Sequence, residues 1–226
     1  MSLRRSGSAT LGLLMLQTRF PRPPGDIGHA RTFDFPVRRK LVEGATPERV
    51  VRGDDPAVLR PFVAAARELV DEGCGAIATS CGFLARWQRE LQAALPVPVW
   101  SSALLQLAEQ QALGRRCGVI TIEAASLGAA HFEGVGADAA TPVEGITPGS
   151  ALHRTLLEDL PTLDSDDAQA QVLAAARRLL ARHAELDTLV LECTNLPPYA
   201  DALRAATGLP VLDVVTLLTQ RMRTSV

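Results

Sequence analysis

The chain has 226 residues, 47% hydrophobic and 21% charged, which is enough apolar mass for a buried core in one large domain or two small lobes and excludes intrinsic disorder. Its 23 Lys plus Arg nearly balance 25 Asp plus Glu, so a formal charge of -2 leaves no electrostatic footprint for nucleic acid, and nine aromatic residues favour a small polar ligand over a stacked planar one. The longest apolar runs, about six residues, fall far short of the roughly 20 needed to span a bilayer, so the reading is a soluble, cytoplasmic protein without a membrane partner.

Arg4 and Arg5 precede the apolar run 11–16 and imitate an export signal. Gln17, Thr18, Arg19 and the prolines that follow break the run with no small-residue cleavage pattern, so it reads as a first buried strand. Residues 17–35, with three prolines, leave little room for regular structure and form either a substrate-covering loop or an ordinary surface connection. Asp55-Pro56 is a cap with a first-turn proline; Val58, Phe62, Ala65, Ala66 and Leu69 then recur at helical spacing until Gly73, with a kink or second start at Pro61. Strands follow at 76–78 and 97–100, separated by a helical stripe of Leu84, Trp87, Leu91 and Ala94. Leu104, Leu105, Leu107, Ala108 and Leu113 make another helix before a strand at 118–122. Residues 166–184 form a helix burying Val172, Ala176, Leu179, Leu180 and His183, and strands at 188–191 and 209–212 precede a last helix, 214–223, that crosses back to the first lobe. Apolar strand blocks alternating with helices predict an α/β fold with a mostly parallel sheet covered on both faces.

An internal repeat organises these elements. At an offset of 112 residues and without a gap, Cys81 falls on Cys193, Leu84 on Leu196, Trp87 on Tyr199, Leu91 on Leu203, Pro98 on Pro210 and Val99 on Val211. The run 11–16 likewise resembles 117–122, each opening its half. The repeat predicts two pseudo-symmetric α/β lobes: 1–113 plus the C-terminal helix 214–226, and 114–213.

In each lobe a buried strand gives way to a helix at the cysteine. Ligands of open parallel sheets sit beyond the carboxyl ends of strands, so two lobes facing each other bring Cys81 and Cys193 into one cleft from opposite sides. Two like groups on opposite faces suit proton removal from a carbon on one face and return on the other. A thiol of ordinary pKa is only roughly 3% ionised at neutral pH, and a helix N-terminus lowers that pKa by about 1.5 units at most. The backbone N–H groups after each cysteine are then the expected partners of a substrate carboxylate, with Gly82 permitting close approach and Thr194 and Asn195 adding a hydroxyl and an amide. Gln17 ends the first strand as a polar contact, and Arg19 is the candidate carboxylate partner if the following segment covers the cleft.

The segments Thr79-Ser80-Cys81-Gly82-Phe83 and Glu192-Cys193-Thr194-Asn195-Leu196-Pro197-Pro198, with the half-length repeat, resemble the aspartate/glutamate/hydantoin racemase superfamily over most of the chain. The resemblance implies two Rossmann-like lobes, no cofactor and Cys81 and Cys193 as the acid/base pair of a racemase or epimerase of a small carboxylate, an amino acid or derivative. The superfamily also includes maleate isomerases, whose thiolate adds to a double bond, and arylmalonate decarboxylases, which need only the second cysteine. Where amino-acid racemases of this kind carry Cys-Asn-Thr, this chain has Cys81-Gly82-Phe83, so Gly82 and Phe83 remove two expected side-chain contacts.

Other readings are plainer. Cys74 and Cys117 are buried hydrophobes, and four cysteines are too sparse for a disulfide framework. No Cys or His spacing suits a metal, and no glycine-rich loop suits a nucleotide. Glu192 is either a partner of Cys193 or a plain strand-end carboxylate. A two-lobed binding or thiol-sensing protein is the non-catalytic alternative, and a homodimer is the default assembly.

Overall fold

The computed structural model describes residues 10–53 and 55–224; Arg4 and Arg5 lie outside the described residues. Two four-stranded sheets, parallel throughout, carry the fold. The first consists of β1 (Thr10–Met15), β2 (Val37–Leu41), β3 (Cys74–Thr79) and β4 (Val99–Trp100), in the order β2-β1-β3-β4. The second, β5 (Cys117–Thr121), β6 (Val143–Gly145), β7 (Thr188–Leu191) and β8 (Val211–Leu212), repeats that order as β6-β5-β7-β8. The repeat extends to single hydrogen bonds. Ile77 N donates to Pro98 O and Leu189 N to Pro210 O, each at 2.9 Å, and Ser80 N to Leu14 O matches Glu192 N to Ile120 O.

The central strands are buried over most of their length and match the apolar runs in the sequence. Two of the four edge strands, β2 and β6, do not announce themselves that way. In β2, Arg38 and Lys40 pair with Glu72 and Glu68 at the solvent edge, a pattern that blunts edge pairing and hides the strand from apolar periodicity. β6 is only three residues long.

Asp55 Oδ1 accepts from Ala57 N at 2.8 Å, capping a 3₁₀ turn that leads into α1 (Leu59–Asp71). Pro61 lies in the first turn of α1, where its missing N–H costs nothing, and Gly73 at φ +90° ends the run. The expected helix beginning at Leu84 divides into a 3₁₀ stretch over residues 82–87 and α2 (Gln88–Ala93). α3 (Leu104–Ala112) leaves the first half and packs against β5 and β7 of the second. The second half adds α4 (Ala129–Val135) and α5 (Ala151–Leu157), then α6 (Ser165–Arg182), whose cap Asp164 accepts from Asp166 N and Asp167 N. Val172, Ala176 and Leu179 of α6 are buried as expected, whereas Leu180 and His183 are only half-buried.

α7 (Ala200–Thr207) and α8 (Val214–Thr224) close the chain. α8 runs beside α3, joined by Gln106 Nε2 to Asp213 O at 2.7 Å and by the Arg221–Glu109 pair, and Arg223 reaches Asp34 of the first half at 3.7 Å. Gly134 in α4 lets that helix lie against Ala85 and Arg86, so the halves are also in backbone contact. Among the described residues no helix is long and apolar enough to cross a membrane.

Candidate active site

In each sheet the strand order reverses direction beside the first central strand, between β1 and β3 and between β5 and β7. The crevice outside the carboxyl ends of such strands is where parallel sheets take ligands. The two crevices meet in one cleft of about 380 Å³ of empty space, its solvent mouth included. Leu16 and Ile122 extend β1 and β5 into it, and Cys81-Gly82-Phe83 and Cys193-Thr194-Asn195 line it from the ends of β3 and β7. Equivalent turns hold the cysteines: Leu84 N donates to Cys81 O at 3.2 Å and Leu196 N to Cys193 O at 3.1 Å. Both thiols are free and only 6% exposed.

Burial governs their chemistry. Desolvation, then the neighbouring Glu192 charge, pushes the Cys81 thiol up to about 12, against the opposing pull of the Phe83 N–H and Arg22. Cys193 is raised by the same two causes, with Asn195 N–H opposing and Cys81 and Asp26 adding to the rise. The expected lowering by helix N-termini is therefore overturned. Cys81 leads into a 3₁₀ stretch and Cys193 into a turn ahead of the short 3₁₀ segment 197–199, so each thiol meets one backbone N–H, not the dipole of a long helix, and burial outweighs it.

Glu192 is fully buried between the strand ends. Its Oε2 accepts the Thr121 hydroxyl at 2.6 Å, its Oε1 has no hydrogen-bond partner, and burial lifts its carboxyl to about 7. A Cβ at residue 82 would collide with both Glu192 O and Oε1 and stand 2.9 Å from Cδ. Gly82 is thus the residue that admits this carboxyl.

Gln17 and Arg19 are not in the cleft lining. Gln17 is exposed and accepts from Gly44 N at 3.2 Å. The Arg19 side chain, 76% exposed, reaches Asp159 Oδ2 at 3.1 Å, while Arg19 N and Phe20 N both donate to Asp159 Oδ1. Asp159 is the only non-glycine with positive φ (56°) among the described residues. The cation facing the cleft is Arg22, stacked 4.7 Å from the Phe20 centroid and held by Asp26 Oδ1 at 2.8 Å and Thr18 Oγ1 at 3.0 Å. The i,i+4 pairing of Arg22 with Asp26 inside a proline-rich loop was the available signal for it.

Residues 17–35 do cross the cleft: Asp26 accepts from Asn195 Nδ2 at 2.7 Å, Ile27 N faces Thr194 O, and Gly25 abuts Pro198. These bonds occupy the Asn195 amide, and the Thr194 hydroxyl donates to Ser80 O at 2.7 Å, so both side chains tie the halves together rather than point free into the cleft. Phe83 is buried edge-on to His131, with ring centroids 5.4 Å apart. Among the described residues no cluster of three His, Cys, Asp or Glu side chains is placed to hold a metal ion.

Two parallel α/β lobes of one topology, each delivering a cysteine from a strand end to a shared cleft, define the class of two-lobed α/β enzymes with a paired-cysteine cleft. The chain belongs to the Asp/Glu/Hydantoin racemase family, which it matches over residues 90–222. It is 32% identical over 217 residues to a dimethylsulfoniopropionate lyase of Durusdinium sp. clade D, a match covering 92% of this chain and 72% of that one. Dimethylsulfoniopropionate lyase 7 of Emiliania huxleyi strain CCMP1516 is 28% identical over 224 residues, covering 92% of this chain and 64% of that one. The chain thus spans 72% and 64% of the length of these two relatives. A sulfate-associated mutant of arylmalonate decarboxylase shares the fold at a TM-score of 0.65 and 16% identity, over 95% of this chain and 93% of that one.

Proposed function

We propose that the chain is a lyase that eliminates a β-substituent from a small carboxylate, with dimethylsulfoniopropionate as the first substrate to test. One cleft thiolate removes a proton from the carbon next to the carboxylate. The electron pair left behind becomes the Cα–Cβ double bond as the Cβ–S bond breaks. The products are acrylate and neutral dimethyl sulfide, and the proton stays on the thiol. The first step is the one that a racemase of this family would use; only the fate of the electron pair differs.

The observation that carries this reading is the lining of the cleft: two thiols, one cation at Arg22 and no carboxylate. Arg22 supplies a partner for a substrate carboxylate and for the negative charge that builds on it during proton removal, while the backbone N–H groups of Phe83 and Asn195 act on the thiols themselves. No carboxylate in that lining pairs with an α-ammonium group, and Leu16, Phe20, Val51, Leu156 and Leu157 offer an apolar wall to the methyl groups of a dimethylsulfonium. The names of the curated relatives support the same assignment.

The test is gas chromatography of headspace dimethyl sulfide from purified protein and dimethylsulfoniopropionate, with Cys81→Ser and Cys193→Ser alongside. Loss of product in at least one variant is the expected result; undiminished release by both would overturn the thiol mechanism. The pseudo-equivalence of the two thiols favours a second reading, racemisation or epimerisation of a small carboxylate. In D2O that reaction returns deuterium to the α-carbon of recovered substrate, which elimination does not require.

A further inference from the structure

We propose that Glu192 is a positioning residue that holds the proton given up when a cleft thiol becomes the base, so that the buried floor carries one negative charge whichever group is ionised. The geometry is specific. Glu192 has no exposed surface, one oxygen is bound by Thr121, and the other has no partner and lies against the bare Cα of Gly82, itself in the cleft lining. An orphan carboxyl oxygen in a fully buried position is a proton site held open rather than a satisfied structural contact.

The surroundings limit where charge can go. Cys81 and Cys193 both feel the Glu192 charge, which opposes their ionisation. Asp26, the other nearby acid, is closed off by Arg22, Asn195 Nδ2 and Gly28 N, and Arg22 is the one cation that acts on Cys81. Two negative charges in this floor, a thiolate and an ionised Glu192, repel each other at low dielectric. A state with the proton on Glu192 and not on Sγ has a thiolate with no change in net charge. Burial, which lifts the carboxyl to about 7, narrows the gap between it and the thiols, so it takes up a proton more readily than an exposed carboxylate would.

The part Glu192 plays in turnover rests on the lyase reading; its effect on thiol ionisation does not, and the experiment separates the two. Ultraviolet thiolate absorbance is titrated in the wild type and in Glu192→Gln, with Cys81→Ser and Cys193→Ser identifying which sulfurs contribute. In Glu192→Gln the first thiol ionises without an adjacent carboxylate, and its midpoint falls by about one pH unit. The acid limb of kcat/KM on dimethylsulfoniopropionate moves the opposite way, up by about one unit or more, because the glutamine cannot take the proton and the thiol must lose it to solvent. A Glu192 that merely adds charge beside the thiols would let the thiolate midpoint fall without raising the acid limb; that outcome, or a thiolate midpoint that stays or rises, overturns the proposal. Should Glu192→Gln fail to fold, Thr121→Val serves: it removes the hydroxyl that favours the ionised carboxylate, so the pH at which Glu192 loses its proton rises, both in the acid limb of kcat/KM and in the pH dependence of urea unfolding, and an unmoved one is equally fatal. A wild type that shows no turnover while the midpoint shifts as stated refutes the lyase reading alone.

Discussion

Replacing Glu192 by Gln also tests the electrostatics of the cleft floor through folding, with no substrate present. Glu192 is 0% exposed, and burial raises its carboxyl from 4.5 to about 7 with only the Thr121 hydroxyl opposing. A carboxyl that binds its proton more tightly folded than unfolded contributes stability that is fully present below its unfolded value and is lost as pH rises through the folded one. At about 1.4 kcal/mol per pH unit of separation, the wild type loses about 3 kcal/mol of stability to this one group between about pH 4.5 and 8. The glutamine variant lacks that slope. Its amide N–H, facing the place where Oε1 found no partner, costs about 1–3 kcal/mol at every pH, and this offset cancels when the difference between the two proteins is followed across pH. Urea unfolding of both proteins at about pH 5 and pH 8 therefore shows the wild type weakening by about 3 kcal/mol relative to the variant. Parallel stability profiles over that range would refute the assignment of a proton to Glu192 in the folded protein.

Two further substitutions probe the covering segment. Arg22→Met leaves Asp26, 1% exposed, without its ion-pair partner, and should cost about 3 kcal/mol in urea unfolding; adding Asp26→Asn recovers most of that, and a loss below about 1 kcal/mol in the single variant would show that the pair is not buried in solution. Asp159→Ala removes the acceptor of Arg19 N and Phe20 N and should cost about 1–2 kcal/mol, whereas Asp159→Asn keeps an acceptor oxygen and tolerates φ of 56°; equal losses in the two would place the effect elsewhere.

The cleft was legible in the sequence because a repeat is a long-range statement made by local patterns. Once Cys81 and Cys193 occupy equivalent strand ends of equivalent lobes, their convergence follows from topology and needs no knowledge of side-chain packing. The edge strands β2 and β6 were hidden because one carries charge on its solvent edge and the other is too short for a period. Arg19 and Arg22 stand three residues apart in a loop with no periodicity, and the choice between them depends on Asp159, 140 residues away from Arg19 in the chain. The state of the thiols was illegible for a different reason. Motif reasoning supplies the backbone N–H groups that favour a thiolate, but the burial and the Glu192 carboxyl that oppose it are products of the assembled interface.

The departure of the first motif from Cys-Asn-Thr is explained by that same interface. Under the 112-residue repeat, the contact of Ser80 with Thr194 is equivalent to the contact of Glu192 with Gly82. On one side a small residue faces the larger Thr194, whose hydroxyl donates to Ser80 O. On the other side the large residue is Glu192, and residue 82 has surrendered its side chain entirely to make room. The sizes are complementary, so the two halves pack alike while their chemistry differs: one end of the pseudo-symmetric site has an extra ionisable group and the other has none. A racemase gains from presenting equal groups to the two faces of its substrate. Glycine at residue 82, which the sequence presents as a loss of substrate contacts, is the structural condition for placing the Glu192 carboxyl against the strand end that carries Cys81, where its charge acts on both thiols.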